Sequence, residues 1–284
     1  VSSGRFAKLA PRPARRGAAL IAALVLGAVT LLTSCQPVPI MSMASTGDSI
    51  ARGFDACGFF KDCPNVSYST GSDPVSDSLY QRLLPSNRGL AGHSYNDAEV
   101  GAQAIDLYGQ MGLAIWQKAD VVTVLIGAND ACASTVGNMT PVDSFANSVQ
   151  SAFALFFGSR PGARVVLSSI PNVFRLWQVA HNNKQAQLIW KLGQICPSML
   201  SNPTSMASGD QLRRGLVSLQ ITKYNAVLAS VCKQYSGCRW DGGALWRYPF
   251  QLWQLSPYDY FHPNPLGQRA MSGLLWTTYR SGAN

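Results

Sequence analysis

The run Asp120-Val-Val-Thr-Val-Leu-Ile126, closed by Gly127, restricts the fold more than any other segment. It is apolar and β-branched on both alternating faces, so as a strand it must be covered on both sides, as strands inside parallel sheets are. Apolar residues at helical spacing precede it over 102–118 and follow it over 142–157. A second buried-strand pattern spans 163–170 and is stopped by Pro171. A shorter strand pattern occupies 41–46, and further helix patterns cover 75–84, 183–196, 211–233 and 265–279, the last with Asn264 as its cap and Pro265 at its first position. This alternation predicts an α/β protein, a mainly parallel central sheet sandwiched between helices. Two stretches read as loops: 54–74, rich in Gly, Ser, Asp and Cys, and the surface stretch 198–209, rich in Ser, Asn, Pro and Gly.

At 284 residues, 47% of them apolar and 13% charged, the chain suits one globular catalytic domain over 41–284. The net charge of +9 is uneven. Five basic residues (Arg5, Lys8, Arg12, Arg15, Arg16) and no acid precede position 35, so the remainder has 23 − 5 = 18 basic against 14 acidic residues. That residue of charge carries no basic stripe with interleaved aromatics, and a nucleic-acid partner is not expected. Residues 1–34 instead read as an export signal, a basic stretch followed by an apolar run at 18–32 that is shorter than the about 20 residues of a membrane-spanning helix. The run ends in Leu32-Thr33-Ser34-Cys35, which resembles a bacterial lipobox. This makes Cys35 the expected lipidated residue, 35–40 a short tether, and the outer face of a bacterial membrane the expected location; a plain secretory signal and a freely secreted protein are the alternative.

Setting Cys35 aside leaves six of the seven cysteines, an even number in a compartment that permits disulfides. Proximity pairs Cys57 with Cys63 and Cys232 with Cys238, leaving Cys132 for Cys196. No Cys-x-x-Cys or His-Glu-x-x-His occurs and there are only three histidines, so no metal and no cofactor is expected.

Gly47-Asp48-Ser49-Ile50 follows the first strand pattern, and Asp259-Tyr-Phe-His262 lies near the other end of the chain. A serine at a strand-to-helix turn needs a base to take its proton and a carboxylate to orient that base; the second fragment supplies both. Between them come Asn96-Asp-Ala-Glu-Val-Gly101-Ala102 and Gly127-Ala-Asn129-Asp130. Taken in order, the four fragments resemble the four sequence blocks of the SGNH, or GDSL-type, hydrolases, from residue 41 to about 280. The resemblance implies a three-layer, flavodoxin-like α/β/α sandwich. It also implies Ser49 as nucleophile, His262 as base, Asp259 as orienting acid, and Ser49, Gly101 and Asn129 as oxyanion-hole residues. Isoleucine at position 50 replaces the more usual leucine, a change of packing only. Asp48 and Asp130 are expected to fix their loops by accepting backbone N–H bonds.

Asn129-Asp-Ala-Cys132, Phe261-His-Pro263 and the paired cysteines are most similar to the phospholipase B and extracellular lipase branch, implying an exported serine ester hydrolase acting on lipid or small acyl esters, with a monomer expected. A polysaccharide O-deacetylase and a non-catalytic acyl- or glycan-binding lipoprotein are the alternatives. The aromatics between 240 and 261 could line a pocket or pack in the core, with Trp253 a candidate wall residue. Phe174 and Trp177, just beyond the second buried strand, are the other candidates for contact with a ligand at the sheet edge.

Overall fold

The computed structural model describes residues 1–5 and 39–281. Residues 6–34 of the expected signal, the expected lipidation site Cys35 and most of the tether lie outside the described residues. Five strands, β1 (Met43–Gly47), β2 (Ser94–Asn96), β3 (Val121–Leu125), β4 (Arg164–Leu167) and β5 (Cys238–Trp240), form one sheet in the order β2-β1-β3-β4-β5. All four pairings are parallel. Every residue of β1 and β3 is buried, as their composition requires of strands covered on both faces.

Among the described residues the α-helices are, in chain order, α1 (Ser49–Arg52), α2 (Leu79–Leu83), α3 (Leu107–Trp116), α4 (Ala128–Ala131), α5 (Val142–Ser159), α6 (Val173–Ala180), α7 (Lys184–Leu192), α8 (Pro197–Leu200), α9 (Ser208–Cys232), α10 (Ala244–Arg247) and α11 (Pro265–Arg280). α5 buries Phe145, Val149, Ala152, Phe153, Phe156 and Phe157, one stripe at helical spacing, and packs between α3 and α9. α11 packs against α2, β4 and β5. Its N-cap is Asn264, whose Oδ1 accepts from the Leu266 and Gly267 amides at 2.9 and 3.0 Å. The result is an α/β/α sandwich whose strand order reverses between β1 and β3. Open parallel sheets bind ligands at that switch point, beyond the carboxyl ends of the strands.

Several element boundaries differ from the sequence reading: the helix expected over 183–196 ends at Leu192, with Gln194 and Cys196 turned to positive φ, and the strand expected over 163–170 ends at Leu167. The helix expected from 75 begins only at Leu79, because Asp77 turns to φ +44° and Ser78 caps the helix in a reciprocal box with Gln81. The helix expected from 102 begins as a 3-10 turn at Ala104–Asp106 before α3. The stretch 198–209 is not wholly a surface loop: Ser198, Met199 and Leu200 are buried in α8, Ser198 Oγ donates to the Ala131 carbonyl at 2.7 Å, and α9 already starts at Ser208. β2 and β5 carry no strand pattern in the sequence, since three residues at a sheet edge are too few to show a period.

Candidate active site

Ser49 owes its position to the tight exit from β1. Gly47 stands at φ +133°, and a Cβ there would meet the Leu125 carbonyl oxygen at 1.9 Å, so only glycine lets β1 turn this close to β3. Its peptide groups are gripped by the buried Gln110, whose Oε1 accepts from the Gly47 N–H at 2.6 Å and whose Nε2 donates to the Gly47 carbonyl at 2.9 Å. Asp48 is the N-cap of α1, accepting from the Ile50 amide at 2.9 Å, and Ser49 is the first helical residue. The serine therefore emerges at the carboxyl end of β1, beside the switch point.

His262 arrives from a loop 213 residues away and places Nε2 2.7 Å from Ser49 Oγ. Its Nδ1 bonds Asp259 Oδ2, while Asp259 Oδ1 accepts from the Phe261 and His262 amides at 2.8 and 3.0 Å. With Nδ1 protonated toward the carboxylate, Nε2 is left to accept the serine proton. All three side chains are buried. Burial pushes the Asp259 carboxyl upward, but His262 and the two amides outweigh it and hold the group below its ordinary range. Burial likewise opposes the imidazolium, yet Asp259, with Asp48 and Asp55 behind it, raises His262 above its ordinary value. Phe54 and Phe261 meet the imidazole edge-on, with ring centroids 5.2 and 5.1 Å from it.

Gly101 lies in the loop after β2, and Asn129 in α4, the short helix that follows β3. Gly101 holds φ +83°, a left-handed conformation for which glycine is the inexpensive residue. Among the described residues its N–H and that of Ser49 have no protein acceptor. Asn129 Nδ2 donates one hydrogen to the Ala102 carbonyl at 2.9 Å, tying α4 to the loop of Gly101 and leaving a second hydrogen. Asp130, also in α4, accepts from the Ala104 amide at 3.0 Å, a further tie to the segment that follows Gly101. The Cys132–Cys196 disulfide anchors the end of α4 to the start of α8, closing a loop worth about 4 kcal/mol of chain entropy. Cys57–Cys63 and Cys232–Cys238 are the other bonded pairs.

The chain matches the family model described as GDSL-like lipase/acylhydrolase over residues 46–270. It belongs to that family. A protein from Parabacteroides merdae described as a GDSL-like lipase is similar at TM-score 0.52 and 14% identity, covering 84% of this chain and 95% of the other. That likeness is one of fold. The extracellular lipase of Streptomyces rimosus gives a TM-score of 0.48 at 16% identity, covering 84% and 99% of the two chains. A family 3 carbohydrate esterase from Clostridium thermocellum gives 0.47 at 12%, covering 84% and 94%. No curated protein matches the sequence.

Within this GDSL-family fold a small apolar cavity of about 20 Å³, partly open to solvent, adjoins the site; its wall includes Ile50, Ala128 and Phe261 beside the site, with Val173, Leu176 and Phe250. Phe174, Trp177 and Trp253 are not in that wall. The Trp177 ring lies under the Arg214 guanidinium, 4.3 Å from it, and its Nε1 donates to the Pro203 carbonyl at 2.7 Å, so it packs α6 onto the 201–207 turns; Phe174 stacks on Trp177, and Trp253 is exposed. The helix face that reaches the cavity is the one carrying Val173 and Leu176. Of the other histidines, exposed His93 points Nδ1 toward Tyr95 and His181 stacks on Trp177, neither beside a carboxylate.

One group in the site works against stability. Asp48 Oδ2 is buried without a partner, and burial pushes the carboxyl up to about 7. A carboxyl raised on folding is most favourable while protonated, so its contribution worsens as pH rises from the ordinary carboxylate range through 7. Asp48→Asn keeps an N-cap acceptor and removes the charge. Its melting temperature is expected to exceed that of the parent at pH 8, with the gap narrowing at pH 5; thermal denaturation at both pH values checks this.

Proposed function

We propose that the chain is an exported serine ester hydrolase acting on lipid or other acyl esters through an acyl-enzyme. The observation that carries this reading is the unbroken bond chain from Ser49 Oγ through His262 to Asp259. Ser49 Oγ attacks the ester carbonyl as His262 Nε2 takes its proton. The tetrahedral oxyanion is received by the Ser49 and Gly101 amides and the spare Asn129 Nδ2 hydrogen, each donor worth about 3 to 4 kcal/mol in the transition state. Collapse expels the alcohol, which takes the proton from His262. Water, deprotonated by the same nitrogen, then releases the carboxylic acid and restores Ser49.

The apolar wall of Ile50, Val173, Leu176, Phe250 and Phe261 favours an acyl chain over a sugar, because it offers no hydrogen-bonding side chain. Three disulfides fit an oxidising compartment outside the cytosol. In this reading 1–34 is the export signal, Cys35 the lipid attachment that ties a monomeric domain to the membrane, and 41–284 the catalytic domain. A fluorophosphonate probe is expected to label the peptide containing Ser49, and hydrolysis of nitrophenyl esters to hold or rise from acetyl to butyryl and to persist with palmitoyl. Absence of labelling sinks the hydrolase reading. A steep fall beyond acetyl replaces the lipid substrate with an acetylated one.

A further inference from the structure

Asp55 lies in the turn that follows α1, just ahead of the loop closed by Cys57 and Cys63. It is buried, at φ +55°. Its N–H donates to the Lys61 carbonyl at 2.9 Å and its Oδ1 accepts from the Lys61 amide at 3.2 Å. Its own carbonyl accepts from Ser256 Oγ at 2.8 Å, which fastens this turn to the segment that carries Asp259 and His262. A carboxylate oxygen of Asp55, one of Asp259 and a ring nitrogen of His262 all lie within 4.8 Å of one another. Holding the Lys61 amide requires only a neutral acceptor, which Asn supplies. A second buried carboxyl behind Asp259 adds desolvation and like-charge repulsion, so loop closure alone does not account for it.

We propose that Asp55 is a positioning residue that sets the basicity of His262 through Asp259, sharing a proton with that carboxylate in acid and adding a second negative charge behind the imidazole once ionised. The proposal rests on reading Ser49, His262 and Asp259 as the catalytic groups. Burial, then Asp259, pushes Asp55 up to about 6, so its charge changes in the range where an imidazole titrates. The groups facing His262 are Asp259 on its own loop, Asp48 and Ser49 from the β1–α1 turn, and Asp55 from the turn after α1. Asp55 faces Asp259 and His262, with Lys61 meeting it through backbone. As Asp55 ionises it favours the imidazolium. The wild-type base is therefore held protonated to higher pH, and the imidazolium formed during acyl transfer is better stabilised.

Asp55→Asn retains an acceptor for Lys61, offers an N–H to Asp259 and tolerates the left-handed backbone. The acid limb of its kcat/KM profile on a nitrophenyl ester is expected to move down by about half to one pH unit, and kcat on the plateau to fall roughly 3- to 10-fold. Purely structural damage lowers activity without moving the limb, so an unmoved limb in folded Asp55→Asn overturns the proposal. Ser49→Ala run alongside separates the two readings: if it retains wild-type activity, the catalytic assignment itself fails. The wild-type protein supplies a test independent of any variant. Its His262 Cε1 proton is expected to titrate in two steps by NMR, one of them tracking Asp55, and a single step overturns the coupling.

Discussion

Ser49→Ala is expected to lower kcat on a nitrophenyl ester by about 10⁶-fold, the scale seen when a triad nucleophile is removed, and to leave the fold intact. The magnitude follows from what Oγ does. Its sole side-chain partner among the described residues is His262 Nε2, and no backbone bond of the β1–α1 turn passes through it. Removing it deletes the attacking atom and the covalent route while Gly47, Asp48 and Gln110 continue to hold the turn. The residual rate reports what the amides of Ser49 and Gly101 and the Asn129 side chain achieve for water attack. The cost to stability is one hydrogen bond to a buried imidazole, about 1 kcal/mol. Steady-state kinetics with thermal denaturation of the same sample checks both halves. Activity above about one part in a hundred would require another nucleophile within reach of His262. Ser230, the serine three residues before Lys233 in a Ser-x-x-Lys spacing, stands exposed on α9 and makes no hydrogen bond to His262.

What the sequence revealed, and what it withheld, follows from how far each signal reaches along the chain. The parallel α/β class was legible because 120–126 and 163–170 are long enough to show burial on both faces, and each is preceded by a helix period. The strand order was not legible. Nothing local in Met43–Gly47 says that it pairs with both Ser94–Asn96 and Val121–Leu125, yet that choice creates the switch point beside Ser49 and Asn129. For the site, residue type and chain order pointed to Ser49, Gly101, Asn129, Asp259 and His262, and the fold adds the distances among Ser49, His262 and Asp259. The pocket wall depended on helix register. Phe174 and Trp177 stood out by size, but α6 turns Trp177 toward Arg214 and presents Val173 and Leu176 to the cavity. Asp55 gave no signal, since an aspartate in a loop rich in Gly, Ser and Cys is compositional background. Only its burial beside Asp259 sets it apart.

Asp259→Asn is expected to reduce kcat near neutral pH by about 10⁴-fold, more than the loss of one charge alone explains, because it reverses the polarity of the base. Oδ1 of Asp259 accepts from two backbone amides, Phe261 and His262, so in the variant the amide oxygen must occupy that position. The NH₂ group then faces His262 Nδ1. An amide N–H can only donate there, which obliges Nδ1 to act as acceptor and moves the imidazole proton to Nε2, against Ser49 Oγ. The base then presents a hydrogen to the nucleophile where it should present a lone pair. The stability consequence runs with it. The Asp259 carboxyl is held below its ordinary range, so its contribution is present above that range and lost only as pH falls through its depressed value. The variant should therefore lose stability against wild type at pH 7 and less of it in strong acid. Kinetics at pH 7 and denaturation across the acid range measure the two effects. A drop in kcat smaller than tenfold would remove Asp259 as the orienting group and shift that role to Asp48 or Asp55, the other carboxyls that raise His262.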